Sequence, residues 1–144
     1  MILFHIHNTN FKISNRRAIK HWISTILHDY DRIPGDINII FCDPEYLLSI
    51  NRKYLDHDYY TDVITFPYSD QEEKKISGDI FIDVETVKQN AVKYKQLFFK
   101  EILRVIIHGI LHLAGENDTT REQSESMKKA EDKALQKIMT GNKE

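Results

Sequence analysis

The segment from Phe98 to Ala114, FFKEILRVIIHGILHLA, constrains the fold more than any other part of this chain. Phe98, Phe99, Ile102, Leu103, Val105, Ile106, Ile107, Ile110, Leu111 and Leu113 put apolar side chains almost all round a helical cylinder, as expected of a buried central helix. Lys100, Glu101, Arg104, His108 and His112 interrupt the run, which rules against a membrane span. Four of these, Glu101, Arg104, His108 and His112, fall at i, i+3, i+7 and i+11 and make one narrow polar stripe. That stripe must face a cleft or solvent.

The stripe leads into HGILHLAGEND, from His108 to Asp118. Residues i and i+4 share a helix face, so His108 and His112 can present ring nitrogens to one point. Gly115 falls where the helix should end, in the left-handed C′ position that glycine favours, and the reversal returns Asp118 toward the same point. Two imidazoles and a carboxylate suit zinc and also nickel, iron or manganese, and they leave a position open for water. With three ligands and an open site, zinc is the default, one ion per chain, with metal-bound water as the nucleophile of a hydrolysis. In the H-E-x-x-H helix of metallopeptidases a glutamate base follows the first histidine, whereas Gly109 stands there in this chain. Peptidase chemistry lacks its expected base, and phosphodiester hydrolysis depends less on a carboxylate at that place. A glycine inside a helix costs about 1 kcal/mol relative to alanine, so Gly109 signals either close packing or open space above the site.

The rest of the chain reads as alternating strands and helices. Residues 2–6 alternate as a strand, and Ser14 offers an N-cap to a helix bearing Ile19, Trp22, Ile23 and Ile26. Residues 36–41 form a second strand, and Asp43-Pro44 starts a helix with Leu47, Ile50 and Tyr54 as its apolar stripe. Residues 62–66 form a third strand, closed by Pro67 before the polar loop YSDQEEKKIS, and residues 79–82 a fourth after Gly78. Asp83 caps a helix with Val84, Val87, Ala91 and Tyr94. Thr119 or Thr120 opens the last helix in a capping box with Glu122 or Gln123, burying Met127, Ala130, Ala134 and Ile138. The expectation is one α/β (α+β) domain, residues 1–139, with a mixed sheet of about four strands packed with about five helices and a flexible tail over residues 140–144.

Bulk properties narrow the class. At 144 residues, 41% hydrophobic and 29% charged, with a mean hydropathy of -0.48, the composition is that of an ordinary soluble domain. A net charge of -2 and a pI near 6.4 do not announce a polyanion partner. The clusters Arg16, Arg17, Lys20 and Lys93, Lys95, Lys100 read first as solvated helix faces. Cys42 is the single cysteine, a buried small hydrophobe that favours a reducing compartment. The stretch MILFHIHNTN has no basic region and no long apolar core, so a secretory signal is not expected there, and a cytoplasmic location is.

HGILHLAGEND is similar to the pattern H-G-x-L-H-L-x-G-Y-D-H of the YbeY family, bacterial single-strand-specific, zinc-dependent endoribonucleases of ribosomal RNA maturation. Residues 50–68 resemble its L-N-x-x-[FY]-R-x-K-D-x-P-T-[DN]-V-L-S-F-P element, and Gly78 to Ile82 its G-D-I-x-I strand. The order of the three elements and the total length match as well. The resemblance implies a zincin-like domain with a metal between the motif helix and the sheet, held by His108, His112 and Asp118. It further implies single-stranded RNA as substrate, processing of the 16S ribosomal RNA 3′ end, and the small ribosomal subunit as partner.

Three departures from the pattern matter most for the site. Asp118 replaces the third histidine and remains a competent ligand, Leu55 replaces an arginine, and Tyr60 replaces the proline before Thr61. Arg52, Lys53 and Arg104 are candidates to supply the missing cation, and Thr61 opens the strand expected to place the substrate. Asp62 and Asp79 are read as turn or capping residues before proton-transfer groups, His57 as a surface histidine, and His5 with His7 as a strand pair before a second metal site. Leu55 and the missing glutamate also motivate an alternative, a non-catalytic ribosome assembly factor with a structural metal. A metallopeptidase would need a carboxylate from elsewhere.

Overall fold

Strict alternation in Ile37, Ile39 and Phe41 sends three fully buried side chains to one face of a strand, while Cys42 turns to the other. This strand is the spine of the sheet. In the computed structural model, which describes residues 1–57, 61–70 and 72–141, the elements run β1 (Ile2–His7), α1 (Arg16–Asp29), β2 (Ile33–Cys42), α2 (Pro44–Leu55), β3 (Val63–Pro67), β4 (Lys75–Asp83), α3 (Val84–Lys93), α4 (Phe98–Leu113) and α5 (Arg121–Gly141). The four strands form one mixed sheet in the order β1-β2-β4-β3, with β1, β2 and β4 parallel and β3 antiparallel on the edge. Residues 142–144 of the expected tail, and Tyr60, lie outside the described residues. No helix among the described residues is long and apolar enough to cross a membrane.

The main core lies between the sheet and α1, α3, α4 and α5. Ile102, Leu103, Ile106, Ile107 and Ile110 of α4 are fully buried in the core they share with Ile80 and Ile82 of β4, and each such side chain contributes roughly 1.5–3 kcal/mol by leaving water. A smaller cluster on the opposite face joins Leu47 and Ile50 of α2 to Cys42 and Ile64.

Local chemistry sets the helix starts. The Asp43 carboxylate accepts from the Tyr46 N–H with Pro44 in the first turn, and the Asp83 carboxylate accepts from Thr86 N–H and Oγ1. Thr120 and Gln123 form the reciprocal capping box that opens α5. The first helix corrects the expectation, since Asn15 rather than Ser14 occupies the N-cap, at φ 56°, a left-handed conformation that asparagine tolerates well. The strands β2 and β4 run longer than their patterns suggest. Lys75 reads as loop, yet β2 pairs with β4 from Ile33↔Lys75 and Pro34↔Ile76 onward, the register shifts before Ile37↔Gly78, and fully buried Ile76 anchors the extension.

The Cys42 thiol is fully enclosed, and burial, with the nearby charges of Asp83 and Asp43, pushes its pKa to about 12. Ellman's reagent at pH 8 should find no reactive thiol in the folded protein and one per chain after denaturation. Prompt native-state labelling would show that α2 does not seal this face.

Candidate metal centre

Gly109 explains how the polar stripe reaches a cleft. A Cβ there would stand 2.8 Å from Ile80 Cγ2, so the missing side chain lets α4 lie directly on β4. Close packing against the sheet is thus the reason for this glycine. With the Gly109 side fixed to β4, His108 and His112 project to one side, 4.5 Å apart between ring centres. The helix then stops in a Schellman motif: Gly115 sits at φ 108°, its N–H donates to the His112 carbonyl, and the Glu116 N–H donates to the Leu111 carbonyl. The reversal brings Asp118 back over the two rings.

The three donor atoms make a nearly equilateral triangle. His108 Nε2 and His112 Nε2 are 3.0 Å apart, and Asp118 Oδ2 lies 3.4 Å from each. Bonds of about 2.0–2.1 Å at tetrahedral angles place ligand atoms about 3.3 Å apart, so the triangle has the size a zinc-like ion requires. The proton positions point the same way. His112 Nδ1 faces the Glu116 carbonyl at 3.0 Å, an oxygen that only accepts, so Nδ1 carries the hydrogen and Nε2 the lone pair. His108 Nδ1 lies 2.6 Å from Glu131 Oε2, which assigns its tautomer in the same way. With both rings neutral, two lone pairs and a carboxylate oxygen converge with no donor among them, an arrangement that a cation stabilises. Among the described residues these three form the group able to hold a metal.

Glu131 was not apparent from the sequence. It comes from α5, is buried, and uses both oxygens: Oε2 on His108 and Oε1 on the Arg104 guanidinium at 3.0 Å. Burial draws the His108 pKa down, but the hydrogen bond and charge of Glu131, aided by Asp118 and Asp62, more than offset it and leave a net rise. A carboxylate at the i+4 position from Met127, inside the buried stripe of α5, is the signal that could have revealed it.

Two clefts meet at this centre. The first, about 520 Å³, is walled by β3 and by Leu55, His57, Thr61 and Asp62, with His108, His112 and Asp118 at its base. Asp62 is among the residues lining this cleft, burial raises its carboxyl above the ordinary value, and its backbone carbonyl accepts from the Asp83 N–H. The second, about 490 Å³, shares His108 and Asp118 and lies between α4 and α5.

The other candidate residues separate. Thr61 lines the first cleft, whereas Arg52 and Lys53 sit exposed on the last turn of α2 outside both linings, with the Lys53 ammonium 5.2 Å over the Tyr54 ring. Arg104 borders the second cleft, but its guanidinium is held by Glu131 and by Asp132 at 2.7 Å. Asp79 accepts from Tyr68 Oη and from Asn38, a sheet-bracing role. His5 bonds Asn38 and His7 packs on Tyr46, so the two do not converge on a second metal site. His57 borders the first cleft rather than open surface alone.

Comparison with known proteins follows the same outline. Residues 4–139 match the family model described as Endoribonuclease YbeY. The chain is 45% identical over 137 residues to a protein named Endoribonuclease YbeY from Azobacteroides pseudotrichonymphae, covering 95% of this chain and 97% of that one. It is 47% identical over 120 residues to the protein of that name from Bacteroides fragilis, covering 83% and 85%. The solution structure of TM1509 from Thermotoga maritima superposes with a TM-score of 0.63 at 25% identity, covering 96% of this chain and 93% of that one. Similarity of this strength runs through the sheet, the motif helix and α5 alike, and the chain belongs to the YbeY family.

Proposed function

We propose that this protein is a cytoplasmic, zinc-dependent endoribonuclease that cuts single-stranded RNA, with the 3′ end of 16S ribosomal RNA in the small subunit as its target. The observation that carries this reading is the triangle of His108, His112 and Asp118 donor atoms at the base of an open cleft. His108, His112 and Asp118 would hold a divalent ion, which would supply Lewis acidity toward a phosphoryl oxygen and a more acidic water. Among the described residues three supply the donors, a number that leaves room for substrate at a four-coordinate ion. β3 is an edge strand, and among the described residues no strand pairs with the side away from β4, so its backbone groups suit an extended chain laid along the cleft that Thr61 also lines. Asp62 lines the same cleft, and burial raises its carboxyl above the ordinary value, a direction that suits proton transfer there. The cleft has the volume of a small-ligand site, which suits a short stretch of a single strand.

Leu55, an apolar residue on the wall where an arginine stands in the family pattern, favours a second reading as an assembly factor with a structural metal. One experiment separates the two. Purified protein is given a single-stranded RNA and the same sequence as a duplex, before chelation, after chelation and after zinc is restored. Cleavage of the single strand that disappears on chelation and returns with zinc is the expected result. A fully metal-loaded preparation that leaves both RNAs intact would sink the enzymatic reading.

A further inference from the structure

The two clefts that meet at His108 and Asp118 differ in charge. The first carries Asp62 and Asp118 but no lysine or arginine among its described lining residues. The second is lined by Lys100 from the first turn of α4 and Lys128 from α5. Its carboxylates are already engaged within the wall. Glu131 bridges Arg104 and His108, Glu101 lies 3.9 Å from Arg104, and Asp118 completes the donor triangle. Lys100 and Lys128 have no ion-pair partner among the described residues, so their charge is uncompensated toward the cleft. The same wall carries Tyr94, at the C-cap of α3, a residue 58% exposed whose ring also has the Lys93 ammonium 5.3 Å from its centre. Cations that track a backbone beside an exposed aromatic ring are the composition of a single-strand nucleic-acid site.

We infer that Tyr94, Lys100 and Lys128 form a nucleotide subsite on the far side of the metal centre from β3. A single RNA strand runs from the β3 cleft across His108 and Asp118 into the α4/α5 cleft, where Lys100 and Lys128 hold a phosphate and Tyr94 stacks a base. The cation that Leu55 fails to provide on one wall is thereby supplied from the other, through ammonium groups rather than a guanidinium. This rests on the RNA reading of the site and specifies how the substrate lies in it.

The test is binding of a fluorescent single-stranded 12-mer RNA to the zinc-loaded protein, followed by anisotropy as a function of salt and read before cleavage accumulates. Each phosphate contact on a single strand contributes about 0.7 to the slope of log K against log salt, so K100Q/K128Q should flatten the slope by about 0.7–1.4 and weaken binding at low salt roughly tenfold or more. Tyr94→Ala should weaken binding about five- to 150-fold with the slope unchanged. Metal content and thermal midpoint, measured on the same samples, should stay at the parental values, since none of the three side chains is buried or bound to the ligand triad. A parental slope in K100Q/K128Q together with parental affinity in Tyr94→Ala would overturn the subsite. If the wild type cleaves while both variants bind like the parent, the subsite alone fails. If the variants lose binding as expected while the wild type cuts nothing, the nuclease reading fails and the subsite stands.

Discussion

Asp118→Ala is expected to weaken metal binding by about a hundredfold or more and to lower RNA cleavage in parallel. The figure is a lower bound, because removing a residue that only orients a ligand already costs about ten- to a hundredfold. Asp118 Oδ2 is one of three donors, and two imidazoles at 3.0 Å do not by themselves hold a hydrolytic ion firmly. The loss should be specific. Asp118 lies in the loop beyond Gly115 and is exposed, with no part in the core. The metal-free variant should therefore unfold at the parental denaturant midpoint. The two proteins should differ only with zinc present, where a hundredfold in affinity corresponds to about 2.7 kcal/mol of linked stability. Asp118→His, which supplies a nitrogen in place of the carboxylate oxygen, should recover metal and activity together. Metal analysis and cleavage assays on the same preparations decide it: full metal and full cleavage in Asp118→Ala would remove Asp118 from the site.

How much of this was legible in the sequence depended on the range of the interaction. Asp43, Asp83, Thr120 with Gln123, and Gly115 act within one helical turn of themselves, and each was readable from spacing. The pairing of His108 with His112 belongs to the same class. Strand ends were less legible because β4 acquires its first residues from pairing with β2, which no local pattern in Lys75 to Ser77 announces. Arg104 shows the same limit at the site. Spacing placed it correctly on the polar stripe, but the carboxylates that engage it, Glu131 and Asp132, come from a helix whose crossing angle is set by the core. The asymmetry between the clefts is likewise tertiary, since Lys100 and Lys128 are 28 positions apart and become neighbours of one cavity only when α5 packs on α4.

Glu131→Gln is expected to lower zinc affinity about ten- to a hundredfold although Glu131 does not belong to the donor triangle. The side chain is 10% exposed and meets a donor at each oxygen, His108 Nδ1–H at 2.6 Å and the Arg104 guanidinium at 3.0 Å. A carboxylate satisfies both. A glutamine offers one carbonyl oxygen and one NH₂ group, so one of the two donors must face another donor. If the amide turns its NH₂ to His108, the imidazole is driven toward the tautomer with its hydrogen on Nε2, and the lone pair aimed at the metal is lost. If it turns the NH₂ to Arg104, the guanidinium keeps only Asp132 as a close partner and Glu101 at 3.9 Å. Either way the negative charge that raises the basicity of His108 is gone. The fold should also feel the change, by about 1–3 kcal/mol in urea unfolding of the metal-free protein, the usual cost of an unsatisfied buried polar group. Glu131→Asp keeps the charge but shortens the reach by one methylene, and it should fall between the parent and Glu131→Gln in zinc affinity. A competition titration against a chelator of known affinity reads all three proteins. Zinc affinity in Glu131→Gln within twofold of the parent would mean that α4 alone orients His108, with Glu131 serving only to bind Arg104.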